Sequence, residues 1–185
     1  MQRLVPAQTA LIVIDIQDRL AAAMPPEQLE RVQRSVRVLA EAARLLGAPA
    51  LWTEQYPKGL GPTLPEVATA LRSADATCFE KVEFSACDAA GFVDRLDGTG
   101  ARAAVVLGME THVCVYQTVR DLRARGLDVL VAVDGVASRR EDHREVGLAL
   151  CEREGAVRTT SESVVFDWLR QASGDAFKQI SKLVR

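Results

Sequence analysis

The sequence predicts an α/β fold in which a parallel sheet lies between helices packed on both of its faces. Three observations carry that reading. Short apolar runs such as ALIVIDI, from Ala10 to Ile16, are strand-sized, rich in β-branched residues and lack the alternation of a half-exposed strand. Between such runs lie segments whose apolar residues recur at helical spacing. The two kinds of segment alternate along the chain, and parallel neighbours require crossovers of that length.

The elements follow in order. Ala10 to Ile16 is the first strand, and it ends around an acid, Asp15. From Pro26 to Leu46 the residues Leu29, Val32, Val36, Leu39, Ala40, Ala43 and Leu46 line one helix face, and Gly47 stops the helix. Pro49 to Thr53 is a short second strand. Glu54 to Pro65, EQYPKGLGPTLP, is read as a long loop, because its glycines and prolines oppose regular structure. Glu66 to Leu71 is a short helix, Ala76 to Phe79 the third strand and Glu80 to Ala86 the loop after it. Asp88 is placed as the cap of a helix running to Leu96, with Gly98 and Gly100 as breakers. Ala103 to Leu107 is the fourth strand, Thr111 to Arg125 a helix, Val129 to Val133 the fifth strand and Arg140 to Glu154 a helix. Val157 to Thr159 is the sixth strand and Ser161 to Leu169 the last helix, and the tail to Arg185 adds a turn.

Composition narrows the function classes. A chain of 185 residues with 48% apolar and 26% charged residues suits one domain, able to bury a core without a metal or disulfide staple. Cys78, Cys87, Cys114 and Cys151 form neither a CxxC pair nor a metal-ligand spacing, and the opening MQRLVPAQTA lacks a charged-then-apolar leader. A reducing, cytoplasmic setting is expected. The apolar runs are too short to span a membrane. A net charge of −2 with interspersed signs argues against a nucleic-acid surface; Arg139, Arg140 and Arg144, balanced by Glu141, Asp142 and Glu145, read as a solvated helix face.

Ligands of open α/β sheets sit outside the carboxyl ends of the strands. Three reactive side chains fall there: Asp15 after the first strand, Lys81 after the third and Cys114 in the first turn of the helix after the fourth. Unpaired N–H groups at that helix start favour ionisation of the thiol, so Cys114 is expected to lose its proton more easily than a free cysteine. A thiolate nucleophile needs a base and a cation, which Asp15 and Lys81 supply. The competing reading of Cys114 is a small buried residue at a strand-helix junction.

The segments LIVIDIQ, FEKVEFSAC and GMETHVCVYQT resemble the three signature segments of the isochorismatase-like (cysteine hydrolase) superfamily. The likeness extends through TEQYPKGLGPT and DGVASRREDHREVGLALCEREGA, and is greater to the isochorismatase domain-containing proteins than to the nicotinamidases. It implies a three-layer αβα sandwich with a six-stranded parallel sheet. By resemblance, Asp15 is the general base, Lys81 the charge-stabilising partner and Cys114 the nucleophile that forms a thioester with a small carbonyl compound. The resemblance also implies a cis peptide at Met109–Glu110, given room by Gly108, with the N–H groups of Glu110 and Cys114 as an oxyanion hole.

The nicotinamidase metal triad of one Asp and two His has no counterpart, since His112 and His143 both lie outside the loop that would carry it. Neither a metal nor a cofactor is expected. His112 is assigned to packing or the surface and His143 to solvent. Gln17, Gln55, Tyr56 and Phe84 are candidate substrate-binding residues, Trp52 and Phe79 are assigned to the core, Ser138 to a cap beside Arg139, and Cys78, Cys87 and Cys151 to an inert core. A homo-oligomer is expected, with Val164, Val165, Phe166, Trp168, Leu169, Phe177 and Ile180 as candidates for its contact. Two other classes stay open: a catalytically idle binding or scaffold protein, and a redox-sensing thiol protein.

Overall fold

The computed structural model describes residues 3–184. The first two residues of the opening segment and Arg185 of the tail, both included in the sequence expectations, lie outside the described residues. Six parallel strands form the middle layer: β1 (Thr9–Ile14), β2 (Ala50–Gln55), β3 (Thr77–Lys81), β4 (Ala103–Met109), β5 (Asp128–Ala137) and β6 (Val157–Thr159). Their order is β3-β2-β1-β4-β5-β6, so β1 and β4 are central neighbours and the strand order reverses between them.

The helices are α1 (Asp18–Ala21), α2 (Pro26–Leu46), α3 (Pro57–Leu60), α4 (Pro65–Ser73), α5 (Phe92–Asp97), α6 (Tyr116–Ala124), α7 (Glu141–Arg153), α8 (Ser161–Leu169) and α9 (Gly174–Leu183). Period-two alternation along the strands divides the core between the two faces. Leu11, Val13, Val105 and Leu107 meet α2, α4, α8 and α9 on one side. Ile12, Ile14, Ala104 and Val106 meet α5, α6 and α7 on the other. Because both faces are covered, β1 and β4 are buried along their whole length. The result is the three-layer sandwich. Among the described residues, no helix is long and apolar enough to cross a membrane.

Several boundaries move, for reasons that lie in pairing between distant segments. Glu54 and Gln55 belong to β2 rather than to a loop, because they pair with Glu80 and Lys81 and so extend both strands. The rest of that expected loop is tied down: α3 and the start of α4 occupy part of it, Gln17 bridges to Thr63, and Leu64 N–H donates to Ile16 at 2.9 Å. Asp88 does not cap a helix. It ends a 3-10 turn whose cap is Ser85, and α5 begins after Gly91, whose φ of 77° reverses the chain there.

β5 runs on to Ala137 with an irregularity, since Val106 pairs with Val131 but Gly108 with Val136. Arg144 is the side chain that meets the bulge, donating to the carbonyls of Val133 and Val136. It is therefore buried, which corrects its assignment to a solvated face; Arg140 beside it is exposed as expected. Val164, Val165, Trp168 and Ile180 are buried within the chain itself, so of the residues assigned to a subunit contact only Phe166 is exposed, at 39%, while Leu169 and Phe177 are half-buried.

Candidate active site

At the end of β1 the backbone turns sharply. Asp15 takes φ 52°, and its N–H donates to Thr53 of β2 at 3.1 Å. Its carboxylate is fully buried and points at the α5–α7 face, where three groups converge on it. Thr53 Oγ1 donates to Oδ1 at 2.7 Å and Lys81 Nζ donates to Oδ2 at 2.7 Å, and the Cys114 thiol lies close enough to feel the carboxylate's charge. Thr53, Gln55 and Lys81 share this face because they follow at two-residue spacing along β2 and β3 from the buried Leu51 and the half-buried Phe79. Both members of the Lys81–Asp15 pair have 0% side-chain exposure.

Cys114 reaches the same point from β4. After Met109 the peptide to Glu110 is cis, and Thr111–Val115 forms a single wide π turn before α6 continues as an α-helix. The Glu110 carbonyl accepts from Val113 at 3.0 Å and from Val115 at 3.2 Å, while the Glu110 N–H has no acceptor among the described residues. Two glycines permit the close approach. A Cβ on Gly108 (φ 128°) would lie 2.0 Å from the Ile14 carbonyl oxygen, and one on Gly147 of α7 would lie 2.6 Å from His112 N. Ser138 holds the turn from the far side, accepting from Thr111 N–H at 3.1 Å and pairing with His112 Nδ1 at 3.1 Å. Ser138 is thus a brace for the turn rather than a helix cap.

The thiol differs from expectation in its ionisation. Burial pushes the Cys114 pKa up to about 12, and the Asp15 carboxylate adds to the rise; the Lys81 ammonium opposes it only in part. A helix N-terminus alone predicts the reverse, but here burial and the neighbouring Asp15 charge outweigh it and favour the neutral thiol.

Around this centre the other candidates divide. Gln17 and Gln55 are buried, and their recorded hydrogen bonds run to other parts of the chain. Tyr56 and Phe84 are each 53% exposed at the rim. Trp52 is core, Phe79 packs edge-on against Phe92, and His143 is exposed with its ring 4.7 Å from that of His112. Cys151 is buried as expected, but Cys78 lies exposed on the edge strand and Cys87 is half-buried. Among the described residues, no group of three or more His, Cys, Asp and Glu is placed to hold a metal. Sequence reasoning missed Thr53. Its signal was a polar residue two before Gln55, directly after the apolar run Ala50, Leu51 and Trp52 of the same strand.

The isochorismatase domain matches residues 9–163, most of the chain. The chain belongs to the isochorismatase family. Among curated relatives, isochorismatase domain-containing protein 2A of Mus musculus is 37% identical over 187 residues, covering 99% of this chain and 85% of that protein. The human isochorismatase domain-containing protein 2 is 36% identical, covering 99% of this chain and 86% of its own length. Among solved structures, one called MAR1 ribonuclease from Caenorhabditis elegans superposes with a TM-score of 0.91 at 36% identity, over 99% of this chain and 92% of that one. In this chain Asp15 and Lys81 are in contact at the carboxyl edge of the sheet, with Cys114 near enough to feel both charges.

Proposed function

We propose that the protein hydrolyses a small carbonyl compound, an amide or a related ester, through a thioester on Cys114. The observation that supports this reading most is the fully buried Asp15–Lys81 ion pair, 2.7 Å apart, whose two charges both act on the Cys114 thiol. The S–H proton passes to Asp15 as sulfur attacks the carbonyl carbon, and the displaced electron pair settles on oxygen. The N–H groups of Glu110 and Cys114 hold that oxyanion. Its collapse expels the leaving group, which takes the proton back from Asp15. Water then gives Asp15 a proton and attacks the thioester carbon. A second collapse releases the acid, and the sulfur recovers the proton from Asp15. One water is consumed and no oxidant or metal takes part.

Coupling the proton transfer to attack answers the high thiol pKa, because a free thiolate is never required. Lys81 keeps a compensating charge beside Asp15 throughout. Tyr56 and Phe84 form the apolar rim that a small substrate meets. The same reading places the enzyme in a reducing, cytoplasmic setting as one catalytic domain that associates with copies of itself, which light scattering tests.

A screen of small amides, esters, vinyl ethers and RNA against wild type, Cys114→Ala and Cys114→Ser tests the chemistry. Wild type turns over a carbonyl substrate, both variants lose on the order of 10³-fold or more in kcat, and the trapped intermediate adds an acyl mass to Cys114. Variants that keep the wild-type rate sink the covalent reading. RNA cleavage that survives loss of the sulfur favours a nuclease, the activity named for the Caenorhabditis elegans neighbour.

A further inference from the structure

The Lys81 ammonium is steered by more than its carboxylate. A lysine ends four methylenes from its backbone, and its charge is a point that one partner alone does not orient. Besides Asp15, Nζ donates to Gln55 Oε1 at 2.6 Å, and the carbonyls of Glu83 and Phe84 lie at 3.2 Å as longer alternatives. An ammonium carries no lone pair, so only the amide oxygen of Gln55 can face it. The opposite end of that amide is also fixed, with Nε2 donating to the Val82 carbonyl at 2.7 Å.

Gln55 is in turn held by Gln17, which is fully buried. Gln17 Oε1 accepts from Gln55 N–H at 2.7 Å, and Gln17 Nε2 donates to the Gln55 carbonyl at 3.0 Å and to Gly61 at 2.7 Å. Gly61 closes α3, in the segment that carries Tyr56. One continuous set of hydrogen bonds therefore runs from the rim segment to the ammonium.

We propose that Gln55 is a positioning residue that aims the Lys81 ammonium at Asp15 opposite Cys114, and that Gln17 locks Gln55 and ties that aim to the Tyr56 segment. Its consequence for turnover rests on the cysteine chemistry proposed above; its consequence for the thiol does not. Neither glutamine then serves substrate binding.

The test is the rate of Cys114 alkylation by iodoacetamide, followed by peptide mass spectrometry, with the exposed Cys78 as internal control. The Lys81 charge favours the Cys114 thiolate, so releasing the ammonium disfavours it. Gln55→Met keeps the bulk of the side chain and removes the acceptor. It slows Cys114 alkylation on the order of tenfold with Cys78 unchanged, and Gln17→Met slows it by roughly threefold. Gln55→Asn, which keeps the amide but falls one methylene short, replaces Gln55→Met if that variant does not fold. A rate that is unchanged or faster overturns the proposal, since a merely loosened structure exposes the thiol. On a hydrolysed substrate kcat falls while KM stays within about twofold; a raised KM at constant kcat returns Gln55 to substrate binding. If Cys114→Ser keeps full turnover while Gln55→Met still slows alkylation, the hydrolase reading fails and the positioning role stands.

Discussion

Lys81 and Arg144 are both buried cations, yet they serve different ends. Lys81 meets a carboxylate that is as buried as itself, and that carboxylate has the Cys114 thiol as its neighbour. Arg144 meets two backbone carbonyls left by the β5 irregularity, while its carboxylate partners Glu141 and Glu145 are more than half exposed. Its fork of donors suits a bulge with several acceptors, whereas the compact ammonium suits a single buried charge. Burial of a cation is therefore no mark of a site in this molecule. What separates the two is whether the counter-charge has a reactive group as its next neighbour.

The difference is open to attack by mutation. The largest effect belongs to Lys81→Met, which strands Asp15 as an unpaired buried charge and costs about 3–5 kcal/mol in urea denaturation, along with turnover. If Asp15→Asn in the same chain fails to recover part of that loss, the pair does not behave as a pair. Arg144→Met leaves the Val133 and Val136 carbonyls without their donor and costs about 1.5–3 kcal/mol, while kcat/KM of the folded protein stays within about threefold. Abolished turnover with unchanged stability in this variant would erase the distinction between the two cations.

The smallest effect lies at the surface. Burial raises the pKa of Glu110, but the hydrogen bonds and charge of Arg139 more than offset that and leave it below 4.5. A carboxyl depressed by folding adds stability above its unfolded value, and that stability is lost as pH falls through the folded one. Arg139 stays 61% exposed in this pair, so Arg139→Ala costs less than about 1 kcal/mol at pH 7. The difference from wild type shrinks only as pH falls through the lowered Glu110 value, beneath which Glu110 is protonated with or without its partner. A gap that persists once Glu110 is protonated in both proteins assigns the effect of Arg139 to packing.

The site was legible in part because buried parallel strands advertise their own ends. An apolar run that stops at an acid, as at Asp15, fixes both the strand and the edge where chemistry gathers. Lys81 was legible as a cation just after the third strand, and Cys114 as a thiol in the first turn of the helix after the fourth. Thr53 and Gln55 were not, since their roles depend on β2 lying beside both β1 and β3, a relation set by segments 26 to 66 residues apart. Asp88 misled because a capping residue is a local signal, and Gly91 three positions later offered the backbone a reversal that only the packing of α5 selects.

By itself the sequence determined the alternation of strands and helices, the two-sided burial of β1, and the three reactive residues after strand ends. Periodicity and side-chain chemistry are properties of neighbours along the chain, and neighbours suffice to read them. The tertiary structure alone decided that burial and the Asp15 charge raise the Cys114 pKa, that Gln55 faces Lys81 and is held by Gln17, and that Arg144 is buried. Each of these depends on which groups exclude water from which others, a question of distance in space that spacing in sequence does not answer.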